Sequence, residues 1–137
     1  MKVSILEQSV SVEGKPQSVT IKDSINLAKK AEKLGYKRFW VSEHHNHPTI
    51  IGTAPEILMA AIACNTSSIR IGSAGIMLPH YSPLKVAEQF RVLEAIAPNR
   101  IDLGLGRAPG SDGRTALALN PNSRSDSEHF PSHVRDL

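Results

Sequence analysis

The densest group of chemically capable side chains is Ser42-Glu43-His44-His45-Asn46-His47, with three imidazoles and a carboxylate in five positions. Imidazole and carboxylate are good ligands for zinc or iron. They equally suit a general base held by an orienting partner. A run of this type is most often a polar surface loop, with acid–base chemistry second and a metal site third. Adjacent His44 and His45 diverge at the end of an extended strand, which weakens the shared-metal alternative. Two further stretches carry weaker signals. In Ser73-Ala74-Gly75-Ile76-Met77-Leu78-Pro79 the small residues let something flat approach the backbone, or they pack tightly against a neighbouring helix. In Gly104-Leu105-Gly106-Arg107-Ala108-Pro109-Gly110 a glycine-flanked Arg107 suits an anionic group such as phosphate, although an ion-paired arginine is commoner. The spacing matches neither a P-loop nor a dinucleotide fingerprint.

Each of these stretches follows a β-rich run: Val3 to Gln8, Arg38 to Ser42, Ile69 to Leu78 and Ile101 to Gly106. The runs recur roughly every 30–35 residues, the length of one βα unit. Helical patterns fill the gaps. The first runs from about Ile21 to Leu34, with Ile21, Ile25, Ala28, Ala31 and Leu34 on one stripe and Gly35 as its cap. The second runs from about Ala54 to Asn65, with Thr53 and Glu56 at capping-box spacing. The third runs from about Pro83 to Ile96, after Ser82 as a possible cap and before a Pro98-Asn99 stop. Strand and helix alternating at this pitch predict a parallel sheet in an open doubly wound fold or a (β/α)8 barrel. Only Gly14 follows the first strand, where the open fold often carries a glycine-rich turn, so the barrel is favoured. Ile5, Val41, Ile71 and Leu103 are candidates for its interior. Residues 109–129 read as a loop-rich segment broken by a short helix, and Phe130-Pro131 opens another helix. A barrel takes about 250 residues, so the 137-residue chain is expected to be a fragment of about four βα units. The open edges of half a barrel would then favour self-association.

Composition narrows the field. Hydrophobic residues make up 40% and charged residues 21%, as in an ordinary globular protein. The net charge of +3 is scattered. The one local cluster, Lys29, Lys30, Lys33, Lys37 and Arg38, reads as a solvated face. Aromatic residues are scarce, which argues against nucleic-acid binding. The single cysteine, Cys64, allows no internal disulfide and fits a cytoplasmic location. It ends the apolar run from Ile57 to Ala63 and is expected in the core. No apolar stretch approaches the length of a membrane span, and the amino terminus lacks the apolar region of a signal peptide.

Taken together, Val3-Ser4-Ile5-Leu6-Glu7-Gln8, the stretch from Leu34 through Phe39-Trp40-Val41-Ser42-Glu43-His44-His45, and Ile71-Gly72-Ser73-Ala74-Gly75-Ile76-Met77-Leu78-Pro79 form an ordered set. It continues through Ser82-Pro83-Leu84-Lys85-Val86-Ala87-Glu88-Gln89 and from Arg100 to Gly110. In this order the chain resembles the bacterial luciferase-like flavin-dependent monooxygenases, in their amino-terminal half, over almost everything from Met1 to Gly110.

The resemblance implies a truncated (β/α)8 barrel, with residues 1–137 forming part of a single domain. It implies that His44 is the active-site histidine, acting as an acid–base or orienting group. It implies that the Ala74–Gly75 peptide is cis and lies against the flavin ring, that Gly106 lies near the flavin, and that Arg107 is directed at its phosphate. Pro109 departs from the leucine of luciferase itself. The implied cofactor is reduced FMN, ahead of a deazaflavin, supplied by a separate NAD(P)H-dependent flavin reductase. The implied reaction is oxygenation of a small organic substrate by O2. The alternatives are a non-catalytic flavin-binding or structural barrel fragment, and a metal-dependent hydrolase using His44, His45 and His47.

Overall fold

A computed structural model describes residues 3–137, leaving aside the side chains of residues 123–125. Strands β1 (Ser4–Glu7), β2 (Arg38–Val41), β3 (Arg70–Ser73) and β5 (Ile101–Asp102) form a parallel sheet in the order β1-β2-β3-β5. Two further short strands, β4 (Ile76–Met77) and β6 (Leu105–Gly106), make a parallel pair of their own. The main strands pair in the order in which they occur, as in a (β/α)8 barrel; a doubly wound sheet reverses its order at a switch point. Helices α1 (Gln17–Lys33), α2 (Pro55–Asn65) and α3 (Pro83–Ile96) fill the connections, and α4 (Gly113–Leu119), α5 (Ser123–Glu128) and α6 (Phe130–Arg135) follow β6. The fold is that of the first part of a (β/α)8 barrel.

Register decides which face each side chain takes, because strand residues alternate between faces. Ile5, Phe39, Ile71 and Ile101 are paired in one row. Phe39, Val41 and Ile71 are buried in one cluster with Ala28 and Ala31 of α1, Met59 and Ile62 of α2, and Val86 and Leu93 of α3. Val41 and Ile71 therefore face the helices, contrary to their expected place in the barrel interior, and Leu103 is exposed. The opposite face is the interior one, and it carries Leu6, Trp40, Gly72 and Asp102 in one row. There the Asp102 carboxylate accepts from Trp40 Nε1 at 3.1 Å and Arg70 Nε at 3.0 Å, pairs with Arg70 Nη2, and lies 3.4 Å from Arg38 Nε. Burial disfavours its charge, but the bonds from Arg70 and Trp40 hold its carboxyl below the usual carboxylate range. Arg38 thus belongs to this cluster and departs from the solvated lysine face.

The helix boundaries shift for identifiable reasons. Helix α1 begins a turn before the expected start, at Gln17 after Pro16, and its buried stripe is Thr20, Ser24, Ala28 and Ala31. Small polar residues extend the stripe backwards, so an apolar pattern alone starts it too late. Leu34 leaves the stripe and is 77% exposed, while Gly35 takes φ +80° as the capping glycine. Helix α2 has Ala54 at its N-cap, without the expected Thr53–Glu56 box; Glu56 accepts instead from Gln89 Nε2 of α3 at 3.4 Å. Ser82 occupies the N-cap of α3 but makes no capping bond. Cys64 is exposed, because α2 buries Leu58, Met59, Ile62 and Ala63 and turns Cys64 away from that stripe. After β6, Asp112 caps α4 by accepting from Arg114 N at 2.9 Å and Thr115 N at 3.1 Å. The segment 109–129 thus holds two short helices, α4 and α5, where one was expected.

The third and fourth runs each break in two. The Ala74–Gly75 peptide is cis, as the family resemblance implied, and separates β3 from β4. Across from it, the Ser73 hydroxyl donates to Gly104 O at 2.8 Å and accepts from Gly104 N at 3.0 Å, substituting a side chain for the ladder. Ile76 N then donates to Gly104 O at 2.8 Å and starts the β4–β6 pair.

Candidate active site

The carboxyl ends of β2, β4 and β6 converge, and the residues singled out from the sequence sit there. His44 follows β2 and is half-buried. Its backbone N–H donates to Gly52 O at 3.1 Å, and its Nδ1 lies 3.3 Å from the Ser42 hydroxyl. Its Nε2 makes no hydrogen bond among the described residues. The three histidines take separate directions. His45 Nε2 lies 2.7 Å from Glu43 Oε1. His47 Nδ1 accepts from Thr49 N at 3.3 Å and Ile50 N at 3.2 Å, closing its own loop. Among the described residues no group of three or more His, Cys, Asp or Glu side chains is placed to hold a metal ion.

Gly75 lies flat against the neighbouring strand. A Cβ built there would stand 2.7 Å from Leu105 C and 2.9 Å from Gly104 C, both backbone atoms. At Gly106 the nearest atom to such a Cβ is Met77 Sδ at 2.9 Å. The close approach anticipated for these small residues is thus made first by one strand to another, rather than by a helix. Arg107 leaves β6 exposed to solvent, with its Nε donating to Ser127 O of α5 at 3.0 Å.

Sequence reasoning missed the buried polar group beneath these residues. Glu43 is fully buried. Its Oε2 accepts from Met77 N at 3.0 Å, and its Oε1 accepts from the Tyr81 hydroxyl at 2.6 Å and faces His45 Nε2. Burial, reinforced by the hydrogen bond to Glu43 and its charge, pushes the Tyr81 phenol far above its ordinary range, so it remains a donor. His80 Nε2 lies 2.8 Å from Pro109 O, and its buried Nδ1 has no hydrogen-bond partner. Glu43 stood in the histidine run from the outset, but Met77 and Tyr81 lie 34 and 38 residues further along the chain. No periodicity marks Tyr81 or His80.

Chemically, the strand ends offer an imidazole with one nitrogen tied to Ser42, small residues that expose backbone, and an exposed guanidinium. That donor set fits a flat heteroaromatic ring with an anionic tail.

Comparison with known proteins bears on the family and the fold. The luciferase-like monooxygenase family profile matches residues 1–125. The N-acetyl-S-alkylcysteine monooxygenase of Bacillus subtilis is 45% identical over 137 residues, covering 100% of this chain and 41% of the relative. The crystal structure of apo-MsnO8 superposes with a TM-score of 0.94 at 46% identity, covering 99% of this chain and 41% of that one. The oxygenating constituent of the 3,6-diketocamphane monooxygenase from Pseudomonas putida, a type II Baeyer–Villiger monooxygenase in complex with FMN, shares the fold. It gives a TM-score of 0.82 at 24% identity, covering 94% of this chain and 36% of that one. The chain therefore spans about 40% of the length of the curated relatives it matches.

Proposed function

The chain belongs to the luciferase-like monooxygenase family, and from that premise we propose that it supplies the histidine-bearing part of an FMN-dependent monooxygenase site. The observation that carries the reading is the convergence of His44, the cis Ala74–Gly75 peptide and Arg107 at the carboxyl ends of adjacent parallel strands, where barrel enzymes build their sites. Ala74 and Gly75 would present backbone to the flavin ring, with Gly106 nearby, and Arg107 would meet its phosphate. Bound reduced flavin supplies electrons to O2, so that one oxygen atom can be delivered to a small organic substrate.

The chain's own residues orient, charge and shield the site. Ser42 holds Nδ1 of His44, which leaves Nε2 to hold or move a proton at the reacting centre. Arg107 contributes a permanent positive charge. Ile76, Met77 and Leu78 are buried beside the Glu43 cluster under the strand ends, which helps to exclude water. An NAD(P)H-dependent flavin reductase is the proposed partner, as the type II description of the camphane relative suggests. A cytoplasmic location goes with the single cysteine. No helix of the described residues is long and apolar enough to cross a membrane.

A graft tests the reading. Residues 1–137 would replace the matching segment of the N-acetyl-S-alkylcysteine monooxygenase, and O2 consumption would be followed with reduced FMN and that enzyme's substrate. Substrate-dependent oxygenation is expected; a folded graft that binds FMN but never oxygenates would reduce the chain to a structural remnant.

A further inference from the structure

Glu43 has no part in the proposed chemistry, yet it is fully buried with all its partners on other segments or on the adjoining loop. We propose that Glu43 is a positioning residue whose carboxylate fixes the backbone of β4, just past the cis Ala74–Gly75 peptide, against the ring of His45 and the loop that follows β6. The purpose of that positioning rests on the proposed flavin site; the link itself does not.

The geometry calls for an acceptor on both carboxylate oxygens. Oε2 meets the Met77 backbone N–H, which can only donate. Oε1 meets the Tyr81 hydroxyl and His45 Nε2. A carboxylate satisfies all three as donors at once, whereas an amide can do so only if Tyr81 and His45 turn to accept. In glutamine one oxygen becomes NH2: one flip sets donor against donor at Met77, and the other keeps Met77 but requires the Tyr81 hydroxyl and His45 Nε2 to switch from donating to accepting. The accepting carboxylate also selects the form of His45 that carries a proton on Nε2.

The link extends beyond the carboxylate. His45 N donates to Gly110 O at 3.1 Å, and the His45 ring meets His80 edge-on with centroids 5.8 Å apart. His80 Nε2 reaches Pro109 O at 2.8 Å. One buried charge thereby ties the exit of β2, the start of the Met77–His80 turn, and the Pro109–Gly110 segment beyond Arg107. These are the segments that carry His44, Gly75 and Arg107.

The test uses the 15N-labelled 137-residue chain as wild type, Glu43→Gln and Tyr81→Phe. Glu43→Gln is expected to speed amide exchange at Met77 by about tenfold or more, while Phe39 and Ile71 change less than about twofold. It is also expected to move the His45 ring nitrogens away from the Nε2–H pattern, a signature that general loosening would not produce. Tyr81→Phe keeps the carboxylate and should leave that His45 pattern in place. Unchanged Met77 exchange with an unchanged His45 pattern would overturn the proposal, as would equal acceleration of every amide. If Glu43→Gln does not fold, His45→Gln reads the link from the other side: Met77 exchange about threefold faster supports it, and unchanged exchange overturns it. FMN is titrated in parallel into the labelled grafted enzyme, with and without Glu43→Gln. Shifts at Gly75 and Met77 that shrink in Glu43→Gln support the positioning role. No FMN shift in the unsubstituted graft would sink the flavin reading, and the exchange and ring signatures would still decide the Glu43 link.

Discussion

The hydroxyl of Ser73 serves both backbone groups of Gly104, donating to its carbonyl at 2.8 Å and accepting from its N–H at 3.0 Å. This bridge stands where the β3–β5 ladder stops and the β4–β6 pair has not begun. Ser73→Ala should cost about 1–3 kcal/mol, because it leaves buried polar groups short of a partner. Gly104→Ala should cost at least as much, since its Cβ would run into the Ser73 carbonyl oxygen. Gly113→Ala is the control: nothing lies within 4 Å of its Cβ, so a change of no more than about 0.5 kcal/mol is expected. Urea unfolding of the three variants orders them.

A second prediction concerns acid. Burial opposes the charge of Glu32, but the N–H groups of Ile69, Ser68 and Ser67 and the Ser68 hydroxyl all donate to it and lower its pKa to about 2 from an ordinary 4.5. A carboxyl whose folded pKa is depressed stabilises the fold fully above its unfolded pKa and loses that contribution as pH falls through the folded value. The stabilisation should therefore fade between pH 4.5 and about 2. Glu32→Gln should be less stable at neutral pH and show a flatter stability profile across that window. Denaturant midpoints taken from pH 6 downwards would reveal it; parallel profiles for the two proteins would exclude this role for Glu32.

The histidines should separate in function. In the grafted enzyme, His44→Ala should lower turnover by about 10²-fold or more, the usual scale for a positioned acid–base group. His47→Ala should cost far less, since His47 Nδ1 only closes the Thr49–Ile50 loop. Equal losses at the two positions, or none at His44, would remove His44 from the mechanism.

Much of this was legible because the signals are local. The pitch of βα units gives the sheet and its helices, and α3 runs from Pro83 to Ile96 as its flanking residues predict. The alternation of strand faces was not legible from composition. Val41 and Ile71 are apolar and suit either side of a parallel sheet, and only register places them under the helices. Charged Arg38, Arg70 and Asp102 then occupy the interior face, where an apolar rule would not put them. In the site, the histidine run was visible from its place after a strand, and the family resemblance singled out His44 within it. The Glu43 cluster was not, because Met77 and Tyr81 come from distant segments and burial of a carboxylate leaves no pattern in sequence. The break at Ala74–Gly75 came from the family resemblance, since two small residues alone do not define it.

Arg107 offers the most direct test of the claim that these strand ends hold a phosphorylated flavin. In the grafted enzyme, dissociation constants for FMN and for riboflavin, which lacks the phosphate, would be measured by fluorescence quenching for wild type and Arg107→Gln. Loss of a charge-assisted contact should weaken FMN binding by about tenfold or more and leave riboflavin within about twofold. Equal weakening of both flavins, or no change in either, would contradict the account.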